Sequence, residues 1–295
     1  MKTGARDGVI LVTVLWTVAL LATLAVAASL TFRGFAGVTA VERDRAKADG
    51  LLTAGLEVAG GLVSSAGDIP LNAVETTVVL ASGSIHLRLD DEGGRIDIGQ
   101  APPELLAALF RAIGAPNPDA IAKQIVAWRN DDVAGSQNAP PSSVSANPAA
   151  TTTAQAPFVP AFSDVRQLLQ VPGMRPEWVT AAAPLITVYG NPTVNPLTAP
   201  ASVIAVLPGV TTARLAAFLE ARRLYPTDAT RLAAFLSDAQ SFLAAKAPQA
   251  VSVQLSADLE DGYAANAEAV IVSLKGDRQP YRVLAWNPST PQSRL

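Results

Sequence analysis

The sequence predicts an α+β protein: a long N-terminal helix packed on an antiparallel sheet, with a large α-helical domain inserted between strands. Three observations carry this prediction. Residues 9–32 form an apolar run without a charge, alternation typical of strands occurs before residue 102 and again after residue 250, and a helical period fills the sequence between them. Strands, then helices, then strands indicate one α+β unit with a helical insert.

Composition excludes several classes of protein. The chain has 295 residues, no cysteine and a formal net charge of −3. The lack of cysteine excludes disulfide frameworks, thiol nucleophiles and cysteine-based zinc sites. The acidic balance excludes a global basic surface for nucleic acid. The mean hydropathy is positive, and the run at 9–32 supplies about two-thirds of it, so the chain is neither a polytopic membrane protein nor a disordered one.

The apolar run at 9–32 is long enough to cross a membrane as a helix. Three interpretations are open: a secretory signal peptide cut near Ala25, an uncleaved anchor, or a leader of residues 1–8 cut after Gly8, as in type IV pilins. Residues 33–66 lack proline and place apolar side chains at helical spacings. We therefore expect the helix to continue as one amphipathic rod, which pilin-like proteins have and signal peptides do not.

The remaining sequence divides into three parts. Residues 67–99 predict the first part of the sheet, with strands at 75–81, 84–89 and 95–98. Residues 100–247 predict the helical domain, and residues 248–295 predict C-terminal strands that complete the sheet. Within the helical domain, residues 131–157 are rich in Pro, Ser, Ala, Asn and Thr, which predicts a flexible loop. Helices are predicted at 104–112, 119–128, 163–169, 175–182, 199–206, 211–223 and 229–245.

An internal repeat occurs inside the helical domain. The segments VRQLLQVPGM, at 165–174, and ASVIAVLPGV, at 201–210, align through an apolar-Pro-Gly-apolar sequence. Proline ends the first helix of each unit and glycine accepts the tight turn. The pattern is typical of two helix-hairpin-helix units, which bind DNA backbones in some proteins and serve as packing modules in others.

The sequence offers little for catalysis. His86 is the one histidine and lies in an alternating strand, and no GxSxG, HExxH, Walker A or GxGxxG motif accompanies it. Acidic residues cluster at 90–92, at 131–132 and at 258–261, without the spacing of an EF-hand. We interpret them as carboxylates of solvated turns, with the loops beside the helical domain as the first place for an ion.

The order of several segments resembles one family, the minor pseudopilin K (GspK) of the type II secretion system. The resemblance runs over nearly the whole chain and is specific through the order of its parts. These parts are RDGVILVTVLWTVALL, DEGGRIDIG, IVAWRNDD, FSDVRQLLQVPGM, ITVYGNPTVNPLTAPASVIAVLPGV and QPYRVLAWNP. The stretch at 131–157 departs from the compact helical region of the family.

The resemblance implies processing and a position for the chain. Prepilin peptidase would cut between Gly8 and Val9, and Val9 would become the N-methylated first residue. Most pseudopilins have glutamate at the fifth mature position, where this chain has Thr13, and the K members lack that glutamate. The carboxylate is thought to pair with the amino terminus of a neighbouring subunit, and a buried charge without a partner is unfavourable. A subunit without it suits the tip of a filament.

The resemblance also implies partners and a location. They are the minor pseudopilins I and J in a tip complex, the major pseudopilin below them, prepilin peptidase and the inner membrane, without nucleic acid. The chain would cross the inner membrane once, at residues 9–32, with its globular part in the periplasm. Some family members bind calcium near the helical domain, so calcium is the one cofactor in question, with no ligands assigned. The implied role is assembly, with no catalytic residue.

Two rival functions remain open from the sequence. The first is a membrane-anchored DNA receptor that uses the two hairpins, with Arg175, Arg214, Arg222 and Arg223 nearby. The second is an exported hydrolase that uses His86.

Overall fold

Two hydrophobic cores organise the molecule, one between a long helix and a five-stranded sheet and one within a helical region. The helical region follows in sequence between the second strand and the fifth. The computed structural model describes residues 4–66, 69, 71, 73–137, 161–246, 250–274 and 279–289, and within these the side chains at 4–11, 28–38 and 131–137 fall outside the description.

Helix α1 runs without interruption from Gly4 to Ala66 and includes both halves of the predicted rod. The side chains of residues 12–27 are exposed, as Trp16 illustrates at 72%. In the part of the chain that the structure describes, no helix has an apolar stretch of the length and hydropathy that a membrane crossing takes. The predicted span, 9–32, extends at both ends into residues with undescribed side chains, and it stays a prediction.

The C-terminal half of α1 packs on the sheet. Its buried residues Ala48, Leu52, Ala59 and Val63 recur at helical spacings. A Cβ atom at Gly55 would lie 2.9 Å from the side chains of both Ile85 and Leu255. Glycine at this position therefore lets the helix approach two strands more closely than any larger residue allows.

The sheet is antiparallel and joins segments from both ends of the sequence. The fifth strand, from the C-terminal part of the chain, pairs with the second along its length. The order is β1-β2-β5-β6-β7, and β3 and β4 form a separate parallel pair. The strands are β1 (Val74–Leu80), β2 (Gly83–Asp91), β3 (Ile96–Asp97), β4 (Ile186–Thr187), β5 (Ala250–Leu259), β6 (Ala264–Ser273) and β7 (Tyr281–Ser289).

The strand predicted at 95–98 is not part of the main sheet. A single 3₁₀ turn, Glu92–Gly94, follows β2, and the chain then enters the helical region as β3. Ile96, Asp97 and Ile98 are all buried. A segment buried on both faces does not fit the edge of a half-solvated sheet, and it pairs instead with β4 inside the second core.

The helical region contains short helices joined by turns. The predicted helix at 229–245 is divided, because its second part is a 3₁₀ helix that begins at Ser237. The helices are α2 (Pro103–Ala112), α3 (Pro118–Gln137), α4 (Pro176–Ala182), α5 (Ala201–Ala205), α6 (Thr212–Leu224) and α7 (Ala229–Ala234), with 3₁₀ helices at Val165–Gln170, Ala183–Leu185 and Ser237–Phe242.

The flexible loop predicted at 131–157 begins too early. Helix α3 extends to Gln137, and no proline occurs before Pro140 to end it earlier. The rest of the predicted loop, 138–157, lies outside the described residues.

The two Pro-Gly repeats fold into matching turns. In each, the residue after glycine donates its N–H to the residue before proline: Met174 to Val171 and Val210 to Leu207, at 3.1 and 3.2 Å. The glycine φ angles are 78° and 73°. Proline at the second position and a positive φ at the third define a type II turn, so the sequence repeat is also a structural repeat.

The two hairpin glycines are expected to differ in their tolerance of alanine. Alanine at either position would have to adopt the left-handed conformation of the glycine, at a cost of about 1–2 kcal/mol. A Cβ at Gly173 meets only the Gln124 side chain at 3.6 Å, whereas at Gly209 it meets the Cβ of Asp238 at 2.6 Å. We therefore expect Gly209→Ala to lower the free energy of unfolding more than Gly173→Ala in chemical denaturation. Equal losses would show that the contact with Asp238 has no effect.

Candidate functional site

Buried carboxylates concentrate where the sheet meets the helical region. Asp91, at the end of β2, is 5% exposed. Its carboxylate accepts hydrogen bonds from the Gly93 N–H at 2.9 Å, the Thr198 hydroxyl at 2.9 Å and the Asn195 amide at 3.2 Å. Burial raises the pKa of Asp91, while these donors lower it. Asp91 thus ties β2 to the segment before α5.

Asp97, six residues after Asp91, also connects two segments through hydrogen bonds to its carboxylate. One carboxylate oxygen accepts from the N–H groups of Gly99 and Gln100, at 2.7 and 3.1 Å, and the other accepts from the Gly190 N–H at 2.9 Å. The side chain is 1% exposed. Burial raises its pKa, against the effect of the amide donors. Asp97 therefore joins the turn before α2 to the turn after β4.

A buried ion pair completes the acidic set. Glu92 is 3% exposed, and the Arg95 guanidinium lies 3.0 Å from its carboxylate. Burial raises the pKa of Glu92, and the charge of Arg95 opposes that shift. Both residues line a cleft of about 570 Å³ between the helical region and strands β6 and β7, together with Tyr189, Glu268 and Asn287.

The ionisation of Glu92 predicts how stability depends on pH. Because its pKa is higher in the folded chain than in the unfolded chain, unfolding releases a proton between the two pKa values, and rising pH favours unfolding there. We expect the free energy of unfolding to fall as pH rises from about 4.3, the ordinary value for glutamate. Glu92→Gln removes this contribution, so its pH profile is flatter in urea titrations. Parallel profiles would contradict the prediction.

Arg129 holds the same turn from the side of α3. Its guanidinium donates to the carbonyl oxygens of Gly99 and Ala101, at 3.3 and 2.8 Å. Burial lowers its pKa, and the nearby Asp97 carboxylate raises it. Three segments on which the family resemblance rests, DEGGRIDIG, IVAWRNDD and ITVYGNPTVNPLTAPASVIAVLPGV, therefore meet around Asp91, Asp97 and Arg129, which we call the junction. This role of Asp91 and Asp97 was not among the sequence predictions, although an aspartate two residues before a glycine is a signal of a turn cap.

The carboxylates of the junction have a structural role, because they already accept hydrogen bonds from donors of the chain itself. Among the described residues, no group of three or more histidine or acidic side chains is placed to hold a metal ion. Of the predicted acidic clusters, Asp90 contacts Arg88 at 3.0 Å, and Asp261 lies within 4 Å of Arg43 and Lys47. The side chains of the cluster at 131–132 fall outside the description, and calcium binding stays an expectation of the family resemblance.

The predicted processing residues belong to α1. Gly8 and Val9 lie in its first turns, with undescribed side chains, and Thr13 is exposed on the same helix. Their roles in cleavage and in tip position stay predictions.

The arginines near the hairpins have partners within the chain. Arg175 pairs with Glu177 at 3.1 Å and lies over the Trp178 ring, and Arg223 pairs with Glu220 at 3.2 Å. The two remaining arginines behave in the same way: Arg214 contacts Asp238, and Arg222 donates to the Ala199 carbonyl. A DNA phosphate would have to compete with each of these contacts.

His86 lies on the outer face of the sheet, between a hydroxyl and a carboxylate. Its Nδ1 is 2.9 Å from the Thr77 hydroxyl, and its Nε2 is 3.8 Å from the Asp258 carboxylate. The side chain is 55% exposed and lines an open concavity of about 470 Å³ on the strand surface, together with Glu75, Arg88 and Glu268. The contacts are those of a cross-strand polar ladder.

Comparison with known proteins identifies a related fold. No protein-family profile and no curated protein matches the sequence. Among solved structures, the chain is similar to one from the crystal structure of the GspK-GspI-GspJ complex from the enterotoxigenic Escherichia coli Type 2 Secretion System. The TM-score is 0.55 at 13% sequence identity, over 85% of this chain and 99% of that chain. The chain therefore shares the mixed fold of helix and antiparallel sheet found in a chain of that complex.

Proposed function

We propose that this protein is a K-type minor pseudopilin of a type II secretion system, with an assembly role and no catalytic one. The observation that carries the proposal is the shared fold over nearly the full length of a chain from a GspK-GspI-GspJ complex. The order of the sequence segments, which resembles the K type, also supports the proposal.

The proposed position is the tip of the pseudopilus, where the subunit initiates and caps assembly with the I and J pseudopilins. Thr13 supports a tip position, because a subunit without a carboxylate there does not need an amino terminus from a neighbour. The helical region between β2 and β5 adds bulk that would hinder stacking of a further subunit above it. Residues 9–32 would anchor the protein in the inner membrane and later pack into the filament, with the globular part in the periplasm.

The alternatives receive less support from the described residues. A DNA receptor needs free cations beside its hairpin amides, whereas the four arginines there contact acidic side chains, aromatic rings or backbone oxygens. Salt-dependent binding of duplex DNA at low micromolar concentration would favour the receptor. A hydrolase that uses His86 would lose activity in His86→Ala, and no effect on secretion is expected from that variant.

The test is the amino terminus of the mature protein. Co-expression with prepilin peptidase is expected to produce a chain that begins at Val9 with an N-methyl group, as measured by mass spectrometry of the terminal peptide. Without the peptidase the chain is expected to keep residues 1–8. A mature start at Met1 in the presence of active peptidase, or a start after Ala27, would contradict pilin-like processing and with it the proposal.

A further inference from the structure

A pocket of about 530 Å³ lies beside α6, and we call it the α6 pocket. Leu219, Arg222 and Arg223 line it from one face of the helix, since residues three and four positions apart are neighbours on a helix surface. Ile69, from the segment after α1, and Leu197, from the segment before α5, also line it. Small-molecule sites have volumes of this order and are lined mostly by apolar side chains with a few polar groups, as this pocket is.

Arg222 is a half-buried cation of the α6 pocket. Its guanidinium lies 5.6 Å from the centroid of the Phe218 ring. Burial lowers the pKa of Arg222, and within the described part of the chain no acidic side chain opposes that effect. Arg129 differs in this respect, because the Asp97 carboxylate raises its pKa. A charge that leaves water without a counter-charge is unfavourable, so an anion in this pocket would supply the charge that Arg222 lacks.

The guanidinium of Arg222 keeps donors for such an anion. It has five N–H groups in a planar fork that matches a carboxylate, and the Ala199 carbonyl accepts from Nη1 alone. Arg223 adds a second cation at the pocket, with a side chain that is 78% exposed and is paired with the exposed Glu220. A DNA duplex is too wide to enter a pocket of this size, whereas a small carboxylate fits.

We propose that the α6 pocket binds a small carboxylate with an apolar body. The carboxylate accepts hydrogen bonds from the free N–H groups of Arg222, and the apolar body packs on Leu197, Leu219 and Ile69. Such a ligand connects the segment after α1 with α6, so its binding stabilises the folded chain. The inference goes beyond the proposed function, because an assembly role needs no small-molecule ligand.

The experiment measures binding of 3-phenylpropionate to the full chain in non-ionic detergent by ligand-observed NMR, with 3-phenylpropanamide as the neutral analogue. The carboxylate is expected to bind with a Kd of about 1 mM or lower. The amide is expected to bind about tenfold more weakly, because it forms no charged hydrogen bond. Partition into detergent favours the amide and therefore cannot produce this result. Equal affinities, or no binding of the carboxylate, would overturn the proposal.

Substitutions in the α6 pocket locate the bound carboxylate. Arg222→Gln is expected to weaken its binding about tenfold and to leave that of the amide unchanged, whereas Arg222→Lys keeps the charge and loses less. Leu219→Trp fills the pocket and is expected to prevent binding of both compounds. Leu224→Trp, at a side chain of the same helix that is 71% exposed and does not line the pocket, is the matched control and is expected to bind as the wild type does. Carboxylate binding that survives both Arg222→Gln and Leu219→Trp would overturn the proposal.

Discussion

Replacement of Gly83 by alanine is expected to cause a large loss of stability. Gly83 begins β2 with φ of 150°, and a Cβ there would collide with the carbonyl oxygen of Asp258 in β5. Strain of this kind costs about 1–3 kcal/mol, and the displaced strand adds a similar amount. We expect a loss of about 3 kcal/mol or more in urea denaturation, or a Tm lower by about 6–12 °C.

Gly262→Ala is the matched control for this substitution. Gly262 lies in the turn between β5 and β6 with φ of 82°, and a Cβ there has no neighbour within 4 Å. Alanine at this position incurs conformational strain without a collision, about 1–2 kcal/mol. Similar losses of stability for the two variants would contradict the close contact between Gly83 of β2 and Asp258 of β5.

Asp97→Ala is expected to have the second large effect. The substitution leaves the N–H groups of Gly99 and Gly190 without their acceptor in a buried turn. An unsatisfied buried donor costs about 1–3 kcal/mol, so we expect a loss of about 3–4 kcal/mol. Hydrogen exchange of the Gly99 and Gly190 amides should accelerate in the variant more than exchange of the amides of β5.

Two further variants, Asp97→Asn and Asp228→Ala, separate the loss of a buried acceptor from the loss of an ordinary exposed cap. Asp97→Asn keeps one acceptor oxygen but turns an amide donor toward another donor, so its loss is expected to lie between those of the wild type and the alanine variant. Asp228→Ala removes an exposed cap of α7 that accepts from Arg231 at 2.9 Å, at a cost of about 1 kcal/mol. A loss for Asp97→Ala no greater than that for Asp228→Ala would contradict a structural role of the buried site.

The return of the C-terminal strands was predictable from sequence because β2 and β5, which pair with each other, keep a period of two. Ile85, Leu87 and Leu89 alternate with polar residues, and the same alternation recurs after Ala250. The Pro-Gly repeats were predictable for a similar reason, since proline and glycine act on their own backbone. Local signals of this kind need no knowledge of distant residues.

The junction was not predictable from the sequence, because its structure depends on contacts between segments that are far apart in the chain. Asp97 resembles a solvated turn residue in the sequence, yet its acceptor role depends on Gly190, 93 positions away. The pairing of the short strand β3 could not be predicted for the same reason, since its partner β4 belongs to another part of the chain. The extension of α3 to Gln137 was not predictable, because residues 133–137 combine low apolar content with glycine and serine and carry no local signal of a helix.

The pairing of β2 with β5 also determines when the fold becomes complete during synthesis. The Ser252 hydroxyl donates to the carbonyl of Asp90, 162 positions earlier, and this contact marks where the two strands join. The hairpin of β1 and β2 leaves the ribosome early and waits for its neighbour while the whole helical region is made. A two-stranded hairpin is marginally stable alone, and long-range pairing is slow. Until β5 is synthesised, the nascent chain therefore has an open strand edge that is vulnerable to proteolysis and aggregation, and a chain terminated before Ala250 keeps that edge permanently.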